Sequence, residues 1–172
     1  MAFEFRITAT LAPDTMAKFG PLIPGRVALP KSKDPTGGVE GLFLIDTGSS
    51  DFVIDESVAN ELGLLPTRTT TAHGLGGHTD VRCHFVSLFI PAVPLMMTLK
   101  PGQNAQMRLE REVGSTVGLH AANEAQLGKL PGRLIGVIGR SFLRWTRTTC
   151  DFLTGTITIE TDEVMRHPQI VR

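Results

Sequence analysis

Short apolar segments bounded by Gly or Pro are the sequence feature that most constrains the fold. They are rich in Val, Ile, Phe and Thr, the side chains that pack well on a pleated surface. Segments of this kind are Phe3–Thr10, Leu22–Leu29, Val39–Ile45, Phe52–Ile54, Val81–Ile90, Thr148–Leu153 and Thr156–Glu160. Residues 30–38 predict a long hairpin connection, and Thr154–Gly155 predicts a tight turn between two strands. We therefore predict a mainly β protein.

Helical signals are fewer and predict one or two short helices. Residues 55–63 begin with two acids and end with a Gly, which is typical of a short helix after a strand. Residues 141–145 are a second candidate, with Ser141 as the capping residue. Between residues 100 and 133 the strand pattern degrades, so we expect an irregular insertion there, with room for one helix over residues 121–127.

Length and charge exclude several classes of protein. The 172 residues suit a single domain over residues 1–172, which buries enough surface to need no disulfide or metal. The 17 Lys and Arg balance 17 Asp and Glu, so neither nucleic acid nor an anionic membrane is expected as a partner. Two cysteines are too few for a disulfide scaffold and indicate a reducing compartment, and prolines interrupt the longest uncharged stretch. We expect a cytoplasmic protein without a transmembrane helix.

One carboxylate follows directly on a fully apolar run. Residues 42–45 are Leu-Phe-Leu-Ile, the pattern of a strand buried on both faces, and Asp46 comes next. A lone carboxylate at the edge of a dry interior is costly to desolvate. Thr47 and Gly48 supply a hydroxyl and closely approaching backbone N–H groups that can hydrogen-bond the charge. Taken alone, the tripeptide also suits an ordinary turn after a strand.

Three motifs in order resemble the aspartic proteases of the retroviral type. Asp46–Ser49, after its apolar strand, resembles the Asp-Thr-Gly active-site motif of that family. Ala72–His78 is similar to the glycine-rich tip of the flap, the hairpin that closes over the substrate. Leu134–Leu143 looks like the family segment in which an apolar strand ends in Gly-Arg and enters a short helix. The chain has no Tyr, which favours the retroviral branch over the two-lobed pepsin-like branch.

The resemblance implies a single-lobe, retropepsin-like acid protease barrel with a flap hairpin, and it assigns the site. Asp46 would be catalytic, with support from Thr47, Gly48 and Arg140, and no cofactor or metal is implied. Arg140 would brace the active-site loop, either through Asp51 or through backbone carbonyls. The expected substrate-binding residues are Gly48, Ser49, Ser50, Asp51, Gly74, Leu75, Gly76 and Gly77.

A single Asp-Thr-Gly predicts a homodimer. The chemistry of this family uses two carboxylates that share one proton, one activating a water and the other acting on the scissile carbonyl. The chain contains neither a second Asp-Thr-Gly nor an Asp-Ser-Gly. We therefore expect a two-fold dimer in which each subunit contributes Asp46, with Thr47 hydrogen-bonding across the axis as the resemblance implies. Phe3–Thr8 and Thr156–Glu160 are the candidate dimer strands, and the partner during catalysis would be a peptide or protein substrate.

Other hypotheses stay open at this point. The same fold could serve as a dimeric peptide-binding module without turnover, since Ser50 and Ser141 depart from the family pattern. A third hypothesis is that the chain forms an unrelated β-barrel in which Asp46 is an ordinary turn residue. His73, His78 and His84 lack the spacing of a metal site and are expected to be solvated loop residues. Cys83 and Cys150 are expected to be buried thiols, without an activating context for nucleophilic catalysis.

Overall fold

The computed structural model of the protein describes residues 5–74, 77–95, 104–161 and 168–171. The strands are β1 (Phe5–Thr10), β2 (Leu22–Ala28), β3 (Val39–Ile45), β4 (Val53–Asp55), β5 (Arg68–Gly74), β6 (Gly77–Pro91), β7 (Val93–Pro94), β8 (Asn104–Thr116), β9 (Leu134–Ile138), β10 (Thr146–Asp151), β11 (Thr156–Thr161) and β12 (Pro168–Val171). The helices are α1 (Pro13–Phe19), α2 (Glu56–Glu61), α3 (Leu119–Leu127) and α4 (Arg140–Leu143). No helix in these described ranges is long and apolar enough to cross a membrane.

Six strands close into a barrel. The larger sheet has the order β12-β8-β4-β9-β3-β2-β6-β5, and an additional pairing of β8 with β6 closes the ring β8-β4-β9-β3-β2-β6. The pairings β3–β9 and β4–β8 are parallel, and the others in the ring are antiparallel. Closure removes the exposed edges that an open sheet of these strands would present. The mainly β, single-lobe barrel that we predicted is confirmed.

A smaller sheet lies beside the barrel, with the strand order β10-β11-β1-β7. Its three long strands run antiparallel, with β11 between β1 and β10. The chain ends that we proposed as dimer strands, β1 and β11, are therefore both inner strands of a sheet within one chain. β11 is paired on both sides along its length, whereas β7 covers only Phe5 and Arg6 of β1.

One hydrophobic cluster joins the two sheets. Ile7, Ile157 and Ile159 of the smaller sheet belong to the same cluster of buried side chains as Phe43 and Ile138 of the barrel. All five are at most 1% exposed. Because β3 and β9 are neighbouring parallel strands, the residues that follow them, Asp46 and Gly139, lie at the same edge of the sheet.

Most predicted strands occur in the structure, with the ends shifted by a few residues. Val39–Ile45 is β3 as predicted, and residues 29–38 connect β2 to β3 as a hairpin. The turn at Thr154–Gly155 joins β10 to β11, and Gly155 takes a left-handed φ of 68°. A Cβ at Gly155 would lie 1.9 Å from the carbonyl oxygen of Leu11, which explains why this turn requires Gly.

Three expectations need correction. The region 100–133 is not an irregular insertion where the structure describes it, because β8 pairs with β4, β6 and β12 as a barrel strand. The helix expected near 121–127 is present as α3. The described residues contain four helices, of which α1 had not been anticipated. Ser141 does not cap α4, since the N-cap is Gly139 and makes no side-chain capping bond.

Candidate active site

Asp46 is placed by the strand that precedes it. The backbone N–H of Ile45 donates to the carbonyl of Pro21 at 2.9 Å, and that of Asp46 donates to the carbonyl of Ile138 at 3.1 Å. The main chain is thus held on both sides up to the carboxylate itself. Ile45 is buried and Asp46 is partly buried, so the carboxylate lies at the boundary between core and solvent.

The Asp46 carboxylate is bound by its own loop. The backbone N–H of Gly48 donates to Oδ1 of Asp46 at 2.7 Å, and the N–H of Ser49 donates to the Asp46 carbonyl at 3.3 Å. A Cβ on Gly48 would lie 3.0 Å from the same Oδ1. The close approach of the Gly48 amide therefore depends on the absence of a side chain at this position. A backbone donor on one oxygen leaves the other oxygen of Asp46 for a second group.

Helix α4 braces this loop from the other side. The guanidinium Nη1 of Arg140 donates to the carbonyls of Thr47 at 2.7 Å and Gly48 at 3.0 Å. The N–H groups of Arg140 and Ser141 donate to the carbonyls of Ser49 at 2.9 Å and Ser50 at 2.8 Å. Four consecutive carbonyls of the loop thus accept from the start of α4. Of the two alternatives for Arg140, the structure shows the backbone carbonyls.

Gly139 makes that approach possible. A Cβ at this position would lie 2.5 Å from the carbonyl oxygen of Asp51 and 2.7 Å from that of Ser49. Beneath the loop, Phe52 and Phe142 meet edge to face with ring centroids 5.6 Å apart, and both are at most 1% exposed. Packing and hydrogen bonds together fix the position of the loop relative to α4.

A groove of about 580 Å³ runs between this loop and the β5–β6 hairpin. Residues of the loop, of β4, β5, β6 and β8, and of the start of α4 line it: Gly48, Ser49, Ser50, Asp51, Phe52, Val53, Arg68, Thr70, Thr71, Ala72, Val81, Cys83, Glu112, Val113, Gly114 and Arg140. Exposed polar surface and exposed apolar surface both contribute to it. A groove of this size can hold several residues of an extended peptide.

The predicted site residues fall into three groups. Gly48, Ser49, Ser50, Asp51 and Arg140 line the groove, whereas Asp46 and Thr47 lie outside its lining in a single chain. Gly74 and Gly77 are paired at the end of the β5–β6 hairpin, where the flap was expected. The remaining two predicted flap residues, at positions 75 and 76, lie outside the described residues.

Sequence reasoning missed the pair Arg68 and Glu112 in the groove. Arg68 donates through Nε and Nη2 to Oε2 of Glu112 at 3.0 and 2.8 Å, and the hydroxyl of Thr67 donates to Oε1 at 2.7 Å. The hydrogen bonds from Arg68 and Thr67 lower the pKa of Glu112. The β-branched run of residues 69–71 is the signal that could have revealed β5, and with it Arg68.

The cysteines and histidines occupy less reactive positions. Cys83 is buried beneath the groove and Cys150 is partly buried, and neither forms a disulfide. Burial raises the pKa of both thiols, which disfavours a nucleophilic role. The expectation of a solvated loop is wrong for His84, which is buried in β6 with Nε2 3.2 Å from Oγ of Ser115. No group of three His, Cys, Asp or Glu in the described ranges is arranged to hold a metal ion.

Residues 36–89 match the family model described as "Aspartyl protease". The resemblance to retropepsin-like aspartyl proteases is confirmed. The matched segment contains the Asp46 loop and nearly all of the β5–β6 hairpin. It therefore includes residues from both sides of the groove. The brace from α4 lies outside the matched segment, and geometry alone connects it to the Asp46 loop. No curated protein matches the sequence.

Proposed function

We propose that the protein is a homodimeric aspartic endopeptidase whose catalytic groups are the Asp46 carboxylates of two subunits. One observation carries the proposal: Asp46 ends a buried strand, is hydrogen-bonded by Gly48, and sits in a loop braced by Arg140 beside a peptide-sized groove. This arrangement belongs to a chain whose family match supports a peptidase. A rigidly held carboxylate suits a group that must keep its geometry through proton transfer.

The reaction needs a second carboxylate, and a second subunit supplies it. Two carboxylates about 3 Å apart cannot both ionise cheaply, so they hold one proton between them. The ionised member accepts a proton from water as the water attacks the scissile carbonyl carbon, while the protonated member donates to the carbonyl oxygen. Asp46 is partly buried and Thr47 is exposed in the single chain, so a second subunit can reach both across a two-fold axis.

The substrate we propose is an extended segment of a peptide or protein. Strands β5 and β6 and the loop at residues 48–51 would bind its main chain by hydrogen bonds, with side chains alternating into pockets. Arg68 and Glu112 place charge at the wall of the groove, so a subsite there would favour polar side chains. Two free cysteines agree with a reducing compartment such as the cytoplasm.

The test replaces Asp46 by Asn, which keeps the size and removes the ionisable group. We expect Asp46→Asn to lower kcat/KM on peptide substrates by a factor of about 10²–10⁴ or more, with an unchanged fold and dimer. Asp14→Asn, the same change in the first turn of α1, is the matched control and should retain full activity. Undiminished cleavage by the Asp46→Asn protein would disprove the assignment.

The alternative is a dimeric peptide-binding module of the same fold without turnover. Ser50 and Ser141 favour it, because each stands where the family usually has an acidic or amide side chain. A peptide isostere with a tetrahedral hydroxyl separates the two functions, since a working pair of carboxylates prefers it strongly over the matching planar amide. Equal affinity for both ligands would support the binding module.

A further inference from the structure

We propose that Arg68 determines substrate specificity, because its guanidinium selects an acidic side chain, Asp or Glu, in a peptide bound along the groove. The inference rests on the proposed function, since it takes the groove between the Asp46 loop and the β5–β6 hairpin as the peptide site. Arg68 and its partner Glu112 both line this groove. One guanidinium thus sets the charge that the substrate carries at this wall.

The strand register brings Arg68 and Glu112 together across β6. Strand β6 lies between β5 and β8, with Cys83 opposite Arg68 on one side and opposite Gly114 on the other. Because side chains alternate along a strand, Glu112 shares the groove face with Gly114, two residues away. Cys83 and Gly114 are small, so the two long side chains can meet above them, with Nη2 of Arg68 at 2.8 Å from Oε2 of Glu112.

The guanidinium of Arg68 has hydrogen-bond donors left for a ligand. Nε and Nη2 both donate to Oε2 of Glu112, at 3.0 and 2.8 Å, so Glu112 binds the guanidinium from the side. No other hydrogen bond of this guanidinium occurs within the described residues. The unused N–H groups include the parallel pair on Nη1 and Nη2 that a carboxylate binds. The Arg68 side chain is 58% exposed, so a substrate can reach that end of it.

Glu112 has no comparable capacity for a basic side chain. Its Oε1 accepts from the hydroxyl of Thr67 at 2.7 Å, and its Oε2 accepts twice from Arg68. Its side chain is 27% exposed, less than half the exposure of Arg68. A substrate Lys or Arg would have to displace Arg68 to reach it, whereas a carboxylate adds to Arg68 without breaking the pair. The ion pair therefore favours an anionic ligand over a cationic one.

The charges around Arg68 keep it cationic and confine its effect to one substrate position. The hydrogen bond to Glu112 and the charge of Glu112 raise the pKa of Arg68, and the charge of Asp51 acts in the same direction. Asp51 also lines the groove, is exposed and attracts N–H donors, so a peptide position that faces Asp51 does not share the preference for acid. Arg140, the other cation of the lining, is bonded to carbonyls of the Asp46 loop.

The test pairs substrate variants with protein variants. Peptides that the wild type cleaves are selected from a random decapeptide library, and Glu, Gln or Lys is then placed at each position of one of them. We expect the wild type to prefer Glu over Gln about tenfold in kcat/KM at the position that faces Arg68, with Lys the poorest. In Arg68→Gln the ratio should fall below about twofold. A purely structural role of Arg68 would lower the cleavage of both peptides alike and leave the ratio unchanged.

Arg82→Gln is the matched control. Arg82 lies on the neighbouring strand of the hairpin, is 56% exposed and pairs with Glu56, but it is not part of the groove lining. Its replacement should leave the ratio of Glu to Gln cleavage at the wild-type value.

Glu112→Gln provides a second test that holds even if Arg68→Gln fails to fold. The substitution keeps a partner of nearly the same shape for Arg68 but removes the neighbouring negative charge. The preference for Glu over Gln should then rise several-fold, the opposite direction from Arg68→Gln. A pair that serves only to hold β5 against β8 would give no rise, so an unchanged or smaller preference in Glu112→Gln contradicts the assignment.

The outcomes separate this subsite from the proposed function. Cleavage with a Glu preference that Arg68→Gln removes and Glu112→Gln raises supports both. If no peptide is cleaved, fluorescence anisotropy of labelled Glu and Gln decapeptides replaces kcat/KM, and a binding preference for Glu that depends on Arg68 supports the subsite and counts against the protease. Cleavage without a Glu preference at any position, or with one that survives Arg68→Gln, overturns the subsite and leaves the protease intact. A chain that neither cleaves nor binds these peptides overturns both.

Discussion

Arg140 holds the loop after Asp46 through the loop's backbone carbonyls. Its Nη1 bonds the carbonyls of Thr47 and Gly48, the two residues that follow the candidate catalytic carboxylate. Both bonds come from the one nitrogen Nη1, and the Lys side chain is one bond shorter, so its ammonium cannot reach the position of Nη1 unless the loop moves. We expect Arg140→Lys to lower kcat/KM about tenfold or more and to destabilise the protein by about 1–2 kcal/mol. Peptide cleavage and thermal unfolding measure the two effects.

Arg133→Lys is the matched control for this prediction. Arg133 also donates from its guanidinium to two oxygens, on Glu61 and Ser57, but away from the groove. Its replacement should change stability by less than about 1 kcal/mol and leave activity intact. Equal activity losses in both variants would show that Arg140 has no special role in the loop.

Asp55 connects two helices through hydrogen bonds to its carboxylate. Oδ1 accepts from the Ser57 N–H at 2.8 Å and Oδ2 accepts from the His120 N–H at 3.1 Å, so the carboxylate caps α2 and ties it to α3. Burial is the largest influence and raises the pKa of Asp55, but the hydrogen bonds from Ser57 and His120 together outweigh burial and hold that pKa below 3.8. The stabilising effect of this carboxylate is therefore present above pH 3.8 and is lost as the pH falls through the folded-state pKa.

Replacement of Asp55 by Asn tests this pH dependence. Asn remains a good N-cap for α2 but cannot accept from His120 while it accepts from Ser57 through its single amide oxygen. We expect Asp55→Asn to lower the free energy of unfolding by about 1 kcal/mol at pH 7, with a smaller difference from wild type below pH 3.8. Denaturant titrations at several pH values measure the difference, and a pH-independent gap would contradict the assigned role of the charge.

At the level of whole elements, Gly139 directly follows β9 and lies against the backbone of the loop after β3. A Cβ there would press on two carbonyl oxygens, those of Asp51 and Ser49, which are backbone atoms and cannot rotate away. We expect Gly139→Ala to destabilise the protein by about 1–3 kcal/mol and to impair cleavage, since the two elements must separate. Chemical denaturation and a peptide-cleavage assay test this expectation.

Gly37→Ala serves as the control for that substitution. Its nearest neighbour is the flexible side chain of Asp34 in an exposed connection, at 3.1 Å from the added Cβ. A change within about 0.5 kcal/mol is expected there. If Gly139→Ala is equally mild, the contact between β9 and the loop is looser than its geometry indicates.

The elements also show which parts of the fold the sequence could reveal. Strand β3 was predictable, because its second half, residues 42–45, is an uninterrupted apolar run, although Leu42 and Leu44 are only partly buried. Strand β8 was missed although Met107, Leu109 and Val113 are buried with polar neighbours between them, because Arg111 interrupts the alternation. Arg111 is tolerated there because its guanidinium stacks 5.6 Å from the ring centroid of Phe52, a contact that sequence pattern alone does not contain.

Helix α1 was missed for a different reason. Its signals were present: Pro13 at the first turn, Asp14 near the start, Lys18 near the end and Gly20 just beyond it. Seven residues are too few to give a clear 3.6-residue periodicity, so those end signals were the only evidence.

In the candidate site, motif matching found the Asp46 loop and Arg140. The pair of Arg68 with Glu112 depends on the pairing of β5, β6 and β8, which lie far apart in the chain.

At the scale of the whole molecule, the proposed active site requires two chains. That requirement predicts how the cleavage rate falls when active and inactive chains are mixed. When wild-type and Asp46→Asn chains are mixed in equal amounts and exchange subunits freely, only roughly a quarter of the dimers contain two Asp46 carboxylates. Cleavage should then fall to about a quarter of the all-wild-type rate at the same total concentration. Chains that each worked alone would give half.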